Sequence, residues 1–301
     1  MIPPRHIVLS GGGVKVISLV GALEHLQEKG HLRSVKEYCG VSAGAFLAFM
    51  MALQIPLKTI ELLILELDFG VIRNLTPEGL IGFPETFGLD DGTNLVKFLE
   101  SILRVAVKVD PSITFADLQS QSTIRFRCWA ADLITEKPRE FSFTATPTVR
   151  IVDALRASMS LPFYYCPVPD PVTGNLLTDG GIHGNLPVPL LSEDERRTML
   201  ALGFGSDITV DKTEGFADVL VYMNKVLLCL IQGRNQEVYR QWSHKICRIA
   251  IDHYPSWNFE LSREDRLMLL SLGRTTIETW IRAAPTLYLS QSIRQSRRHS
   301  A

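Results

Sequence analysis

Most of what stands out at first in this sequence is what it has little of. Lys and Arg number 31 against 32 Asp and Glu, a formal net charge of -1. A surface without a dominant sign offers nothing to a polyanion, so nucleic acid is excluded as an expected partner. The five cysteines, Cys39, Cys128, Cys166, Cys229 and Cys247, are odd in number and widely spaced. They form neither a Cys-x-x-Cys pair nor a Cys/His cluster at zinc spacing, and buried free thiols in a reducing compartment are the expectation. The N-terminus carries one Arg and a short apolar run before Gly11-Gly12-Gly13, without the apolar stretch of a secretory signal, so a cytoplasmic protein is expected. From Tyr38 to Leu57 no residue is charged, but Gly40, Ser42, Gly44, Gln54 and Pro56 interrupt a stretch that would need roughly 20 apolar residues to cross a bilayer. Its strongly apolar part, residues 45–53, fits a helix inside a soluble core. No internal repeat or clear linker divides the chain.

What remains is a chain of 301 residues, 46% hydrophobic and 21% charged, long enough to bury a large core. Residues 6–9 read as a short apolar strand, broken by three glycines. A helix follows in which Val16, Leu19, Val20, Leu23 and Leu26 recur at helical spacing, and Gly30 ends it. Residues 35–39 read as a second strand, closed by Gly40 and followed at once by an apolar helix from residue 43. Strand, turn, helix, repeated, predicts a mostly parallel sheet covered on both faces, an α/β fold in three layers. Helix is expected again over residues 57–68, 94–105, 149–158, 214–242 and 262–283. Strand is expected over 123–131, 140–143, 198–204 and 244–251. Residues 69–88, punctuated by Gly70, Pro77, Gly79, Gly82, Pro84 and Gly88, read as a long irregular segment, a lid or binding loop. Asp90-Asp91 reads as a helix N-cap. The apolar run of residues 60–67 reads as core packing rather than membrane insertion. Residues 291–301 read as a disordered tail.

Gly40-Val41-Ser42-Ala43-Gly44 is a Gly-x-Ser-x-Gly sequence between an expected strand and an expected helix, the setting of a nucleophile elbow. A serine at so sharp a turn needs glycine two residues to either side, and the following helix favours the charge that develops on attack. Ser10-Gly11-Gly12-Gly13 offers backbone N–H groups that a ligand can approach closely. A dinucleotide fingerprint would need glycine where Val16 stands, and the triphosphate loop would need a Gly-Lys-Ser/Thr that is absent. An oxyanion hole is the better use of the same backbone. Thr178-Asp179-Gly180-Gly181 on its own is an ordinary turn, and gains weight only beside the other two motifs. Asp132 has no second carboxylate at ligand spacing, and neither a metal nor a cofactor is expected.

Together these motifs resemble the patatin-like phospholipase family. The resemblance runs from about residue 5 to residue 205 and includes Phe115-Ala116-Asp117-Leu118, Ala130-Ala131-Asp132-Leu133, Ala157-Ser158-Met159-Ser160-Leu161-Pro162 and Asn185-Leu186-Pro187. Residues 5–205 would form the catalytic domain and 206–290 an α/β extension packed on it. The resemblance implies a lipid acyl hydrolase with a Ser/Asp dyad. Ser42 would attack the ester carbonyl, Asp179 would take its proton, and Gly11, Gly12 and Gly13 would hold the oxyanion. Gly40, Gly44, Gly180 and Gly181 would support the two turns. It also implies a phospholipid or other acyl-lipid substrate and peripheral contact with a membrane or micelle surface. Val16 departs from the family pattern, which usually has another glycine there. An aspartate base needs its pKa lifted from an ordinary value of about 3.9, and burial would do so. Two rivals stand beside this expectation: a soluble carboxylesterase with a Ser/His/Asp triad through His183 or His244, and an inert lipid- or protein-binding scaffold.

Overall fold

The computed structural model describes residues 3–205, 219–251 and 260–298. Ten strands are present among them: β1 (His6–Leu9), β2 (Glu37–Val41), β3 (Gly88–Asp90), β4 (Arg125–Asp132), β5 (Lys137–Ser142), β6 (Phe163–Tyr165), β7 (Val168–Pro169), β8 (Leu176–Asp179), β9 (Met199–Gly205) and β10 (Ile246–Ala250). The helices are α1 (Val16–Glu28), α2 (Ala43–Ala52), α3 (Leu57–Glu66), α4 (Pro77–Thr86), α5 (Thr93–Ser101), α6 (Phe115–Gln121), α7 (Ile151–Ser158), α8 (Glu193–Arg197), α9 (Val219–Trp242) and α10 (Arg263–Arg298). No described helix is long and apolar enough to cross a membrane.

The main sheet runs β10-β9-β1-β2-β4-β8-β7, with β5 on the other side of β4. From β10 to β4 every pairing is parallel, and β5, β7 and β8 are antiparallel. Alternate residues of each central strand enter different cores. Ile7, Leu9, Tyr38, Phe126, Leu200 and Leu202 join one cluster, while Val8, Cys39, Val41, Trp129 and Ala201 join the other. Both faces are therefore covered, which is why these strands read as continuous apolar runs, and the expected three-layer α/β/α arrangement is the observed one.

One pairing decides where the chemistry can sit. β2 climbs β4 in parallel as far as Val41 opposite Trp129. β8 descends the same edge of β4, antiparallel, and ends with Asp179 opposite Ala130. The two strands point head to head along a single neighbour, so Val41, the residue before Ser42, and Asp179 arrive one register step apart.

The last helix braces the first. A Cβ on Gly273 of α10 would lie 1.7 Å from the Ser18 carbonyl oxygen, and one on Gly21 of α1 would lie 1.9 Å from the Leu270 carbonyl oxygen, so the helices touch backbone to backbone. Arg274 adds two 2.7 Å bonds to the Glu28 carboxylate. The buried Arg266 donates to the carbonyls of Ile64 and Leu67 at the C-terminal end of α3, at 2.9 and 2.6 Å, which satisfies acceptors the helix leaves open.

Several boundaries differ from the sequence reading. Residues 69–88 are not irregular: a 3-10 turn, Phe69–Ile72, leads to α4, whose start is fixed by Thr76 accepting from the Gly79 amide and by Pro77 in the first turn. No residue of α4 is buried, so it lacks the apolar stripe that would have marked it. Asp90-Asp91 is not the N-cap of α5; Gly92 holds that position at φ 74. Asp90 is instead buried, accepting from the amides of Gly92 (2.7 Å) and Asn74 (2.5 Å). Helix α10 continues through Arg298, past the expected end at 283 and into the segment read as a tail; residues 299–301, and residues 214–218 of the expected long helix, lie outside the described residues.

In the interior of an exposed helix Gly→Ala gains about 1 kcal/mol of propensity. At Gly273 the contact with Ser18 reverses that sign: Gly273→Ala is expected to lose on the order of 1–3 kcal/mol, and equilibrium urea unfolding showing a stabilised variant would refute the close crossing.

Candidate active site

Ser42 sits between β2 and α2 with φ 55 and ψ -134, a conformation that costs a non-glycine residue on the order of 1–3 kcal/mol and is held only by its surroundings. Those surroundings are specific. A Cβ at Gly44 would stand 2.4 Å from the Ser10 carbonyl oxygen, and one at Gly40 would stand 2.6 Å from the Gly44 backbone, so the turn closes only with glycine on both sides. The Ser42 amide donates to the Ser158 hydroxyl at 3.0 Å, and that hydroxyl donates to the Trp129 carbonyl at 2.7 Å, tying the elbow to β4 through α7. The Ser42 side chain makes no cap to α2, which leaves its hydroxyl for the cavity.

Asp179 is buried at the end of β8. One carboxylate oxygen accepts from the Gly181 amide at 2.7 Å, and the Asp179 amide donates to the Ser160 carbonyl at 2.9 Å. Burial pushes its pKa up to about 6, against the smaller opposing pulls of the Gly181 amide and the Ser42 hydroxyl that faces it. The shift is in the direction that an aspartate base would need. A Cβ on Gly180 would fall 2.3 Å from the Trp129 carbonyl oxygen, so the Asp-Gly-Gly turn also packs directly on β4.

Ser42 and Asp179 open onto one cavity of about 190 Å³, walled otherwise by α1, α2, α3, α5 and α9 and floored by apolar side chains such as Phe46, Leu63, Phe98, Met159 and Ile231. Among the described residues Asp179 is the only charged one lining it, and no described histidine lines it. Gly12 and Gly13 stand in its wall. Gly11 does not: its N–H donates to the Asn185 carbonyl at 2.9 Å, which removes it from the three expected donors. Asn185 also lines the cavity, and its side-chain oxygen would lie 2.4 Å from a Cβ on Gly181 and 3.1 Å from one on Gly11. Asn185 therefore locks the glycine loop to the Asp-Gly-Gly turn. Asn185 and Ser158 were visible in the sequence only as parts of recurring motifs, without a role.

His183 closes the 3-10 turn after Asp179, half-buried, and burial lowers its pKa; it faces the Lys137 backbone and the charge of Arg234. His244 precedes β10, at the edge of the parallel sheet opposite the one where Ser42 follows β2. Among the described residues one group of His and carboxylate side chains is close enough to share an ion: His6, Glu37 and Glu195. The Arg127 guanidinium already bridges both carboxylates there, at 2.7 and 2.6 Å. The cysteines are free, with Cys39, Cys128 and Cys247 buried, Cys166 half-buried and Cys229 exposed.

The family model described as patatin-like phospholipase matches residues 7–192, well over half of the chain, and includes Ser42, Asp179, Asn185 and the glycine loop. The chain belongs to the patatin-like phospholipase family. Among its relatives, YqhO of Bacillus subtilis (strain 168), described as an uncharacterized protein, is 25% identical over 293 residues, 91% of this patatin-like chain and 97% of that one. The probable lipid hydrolase 463L of Invertebrate iridescent virus 6 is 26% identical over 186 residues, 62% of either chain. Two solved structures share the fold. VipD from Legionella pneumophila has a TM-score of 0.62 and 17% identity, covering 94% of this chain and 67% of its own. Human GIVD cytosolic phospholipase A2 has a TM-score of 0.52 and 12% identity, covering 99% and 63%.

Because the folded protein holds Asp179 at about 6 against an ordinary value of 3.8, its ionisation opposes folding by on the order of 3 kcal/mol. The penalty is absent below pH 3.8, grows up to about 6 and is complete above. Asp179→Asn is accordingly expected to raise Tm at pH 8 and to leave it unchanged at pH 3.5. Equal effects at both pH values, measured by thermal unfolding, would count against a strained carboxylate.

Proposed function

We propose that this protein hydrolyses carboxyl esters of acyl lipids through an acyl-enzyme on Ser42. The observation that carries the reading is the head-to-head placement of Ser42 and the buried Asp179 at one end of an apolar cavity. The Ser42 oxygen attacks the ester carbonyl while its proton passes to the Asp179 carboxylate, a base whose raised pKa suits work near neutral pH better than a free aspartate's. The N–H groups of Gly12 and Gly13 face the resulting oxyanion. Collapse expels the alcohol, which takes its proton from Asp179. Water, deprotonated by the same carboxylate, attacks the acyl carbonyl; collapse releases the fatty acid, and the Ser42 oxygen recovers its proton from Asp179. The family name and the lipid-hydrolase relative support the substrate class. The two histidines of the rival triad, His183 and His244, both lie outside the cavity lining, which favours the dyad.

Such a substrate has to be drawn from a membrane or micelle. Large exposed apolar side chains lie next in sequence to cavity-wall residues at three places: Leu62 beside Leu63, Val71 beside Ile72 and Leu230 beside Ile231. Helix α4, within the segment read as a lid or binding loop, exposes Leu80 and Ile81, the latter 80% accessible. This rim is the surface expected to meet lipid.

A fluorophosphonate probe should label the wild type and not Ser42→Ala. In a lipid-panel hydrolysis assay, with products identified by mass, the same substitution should cut activity by at least about a thousandfold. The kcat/KM should fall about tenfold per pH unit below pH 6, as Asp179 takes up its proton. Hydrolysis that survives in Ser42→Ala would end the proposal.

Liposome flotation tests the rim separately. The wild type should float with phospholipid vesicles, and the paired substitution Leu80→Glu, Ile81→Glu should shift it toward the soluble fraction. A wild type that stays wholly soluble while turning over short esters would remove the membrane part alone.

A further inference from the structure

Three successive glycines carry more backbone freedom than any other three residues would, whereas N–H donors stabilise an oxyanion only when their directions are fixed beforehand. The loop after β1 therefore needs restraint from outside itself. Gly11 has it from the Asn185 carbonyl, and the Gly12 carbonyl accepts from the Lys15 amide at 3.2 Å as the 3-10 turn begins. The Gly12 N–H makes no hydrogen bond to another described residue. That leaves it for a ligand, and leaves its direction unset by any bond of its own.

The missing restraint comes from β9. That strand outruns β1: Leu202 is level with Leu9, the Ser10 amide donates to the Leu202 carbonyl at 3.0 Å, and residues 203–205 continue alongside β10. Phe204 alternates in step with Leu200 and Leu202 and packs against the same core. Its ring reaches the glycine loop. A Cβ on Gly12 would lie 2.6 and 2.7 Å from two of the ring carbons, so the ring rests against the Gly12 α-carbon as only glycine permits. Gly12 lines the cavity and Phe204 does not, so the ring meets the loop from outside the cavity.

The backbone that carries this ring is held on two sides. Phe204 pairs with Ile249 of β10. The Tyr239 hydroxyl of α9 donates to the Phe204 carbonyl at 2.5 Å, and a Cβ on Gly203 would lie 2.5 Å from that hydroxyl, so glycine is what lets it approach. The Arg248 guanidinium stacks on the Tyr239 ring, 5.3 Å from its centroid.

We propose that Phe204 is a positioning residue for the oxyanion hole: its ring backs Gly12 and keeps the glycine N–H groups turned into the cavity. Phe204 lies beyond residue 192, where the family match ends. The inference rests on the reading of Gly12 and Gly13 as oxyanion donors of an ester hydrolase.

The experiment compares two inhibitors of the full-length protein that share one alkyl chain, a trifluoromethyl ketone and the matching methyl ketone. With the first, the Ser42 oxygen adds to the carbonyl carbon, the serine proton passes to Asp179 and the carbonyl oxygen becomes an oxyanion; the second binds without adding. The wild type should prefer the trifluoromethyl ketone by at least about a hundredfold. Phe204→Ala should lower that preference about tenfold, part of what losing a whole donor costs, with affinity for the methyl ketone changed less than about twofold. On a lipid ester the same variant should lose about tenfold in kcat with KM little changed. The acid limb of its kcat/KM profile should stay near pH 6, because Asp179 is untouched. Where circular dichroism shows Phe204→Ala unfolded, Phe204→Val, which suits a strand and removes the same ring atoms, takes its place. An unchanged preference in a folded variant, equal loss for both ketones, or an acid limb that moves with the loss overturns the positioning role. A wild type that binds the two ketones alike sinks the hydrolase reading, and the role with it.

Discussion

Everything at the site depends on two strands ending against one edge of a third. β2 and β8 approach from opposite directions along β4, and their ends, Val41 and Asp179, occupy consecutive register positions opposite Trp129 and Ala130. A hydroxyl and a carboxyl separated by 137 positions in sequence are thereby placed by backbone hydrogen bonds rather than by side-chain packing. Such placement is hard to perturb, since moving either residue means breaking a ladder. The supports act on the same point: Ser158 joins the elbow amide to the Trp129 carbonyl, and Asn185 joins the glycine loop to the turn after Asp179.

That rigidity carries a cost in free energy. Ser42 is held at a positive φ, and Asp179 is held where water cannot solvate its charge. Both are unfavourable in isolation, and in the proposed reaction both would serve reactivity: the first by presenting the hydroxyl free of its helix, the second by making a weak base a usable one. The closely packed sheet, with alternate residues of its central strands buried in separate cores, supplies the stability that these two positions draw down.

The parts of this arrangement that were legible in the sequence are those with strong local rules. β1, α1, α2 and the elbow announced themselves through apolar periodicity and glycine placement, and α3 and β4 were found within a residue or two. Less visible were elements whose signal is tertiary. Helix α4 buries nothing and so has no stripe to read, α8 is a short, exposed and highly charged helix, and β3 and β6 are three-residue strands that exist only because they pair with each other. In the site, Ser42 and Asp179 could be named from motifs. That Gly11 spends its N–H on Asn185 could not, because hydrogen bonds between distant loops leave no pattern in a linear chain.

The strand order has a bearing on where the working unit ends. The family match stops at residue 192, yet β1, which delivers the glycine loop, lies between β2 and β9, and β9 begins at Met199. Without β9, one side of β1 would lose its ladder, and without α10 the outer face of α1 would lose the helix that crosses it backbone to backbone. The motif-bearing stretch is thus not a module that could be lifted out and grafted elsewhere. Its boundary is set by the sheet, so insertions and fusions in this protein are better tolerated beyond the end of the α10 crossing than at the margin of the family match.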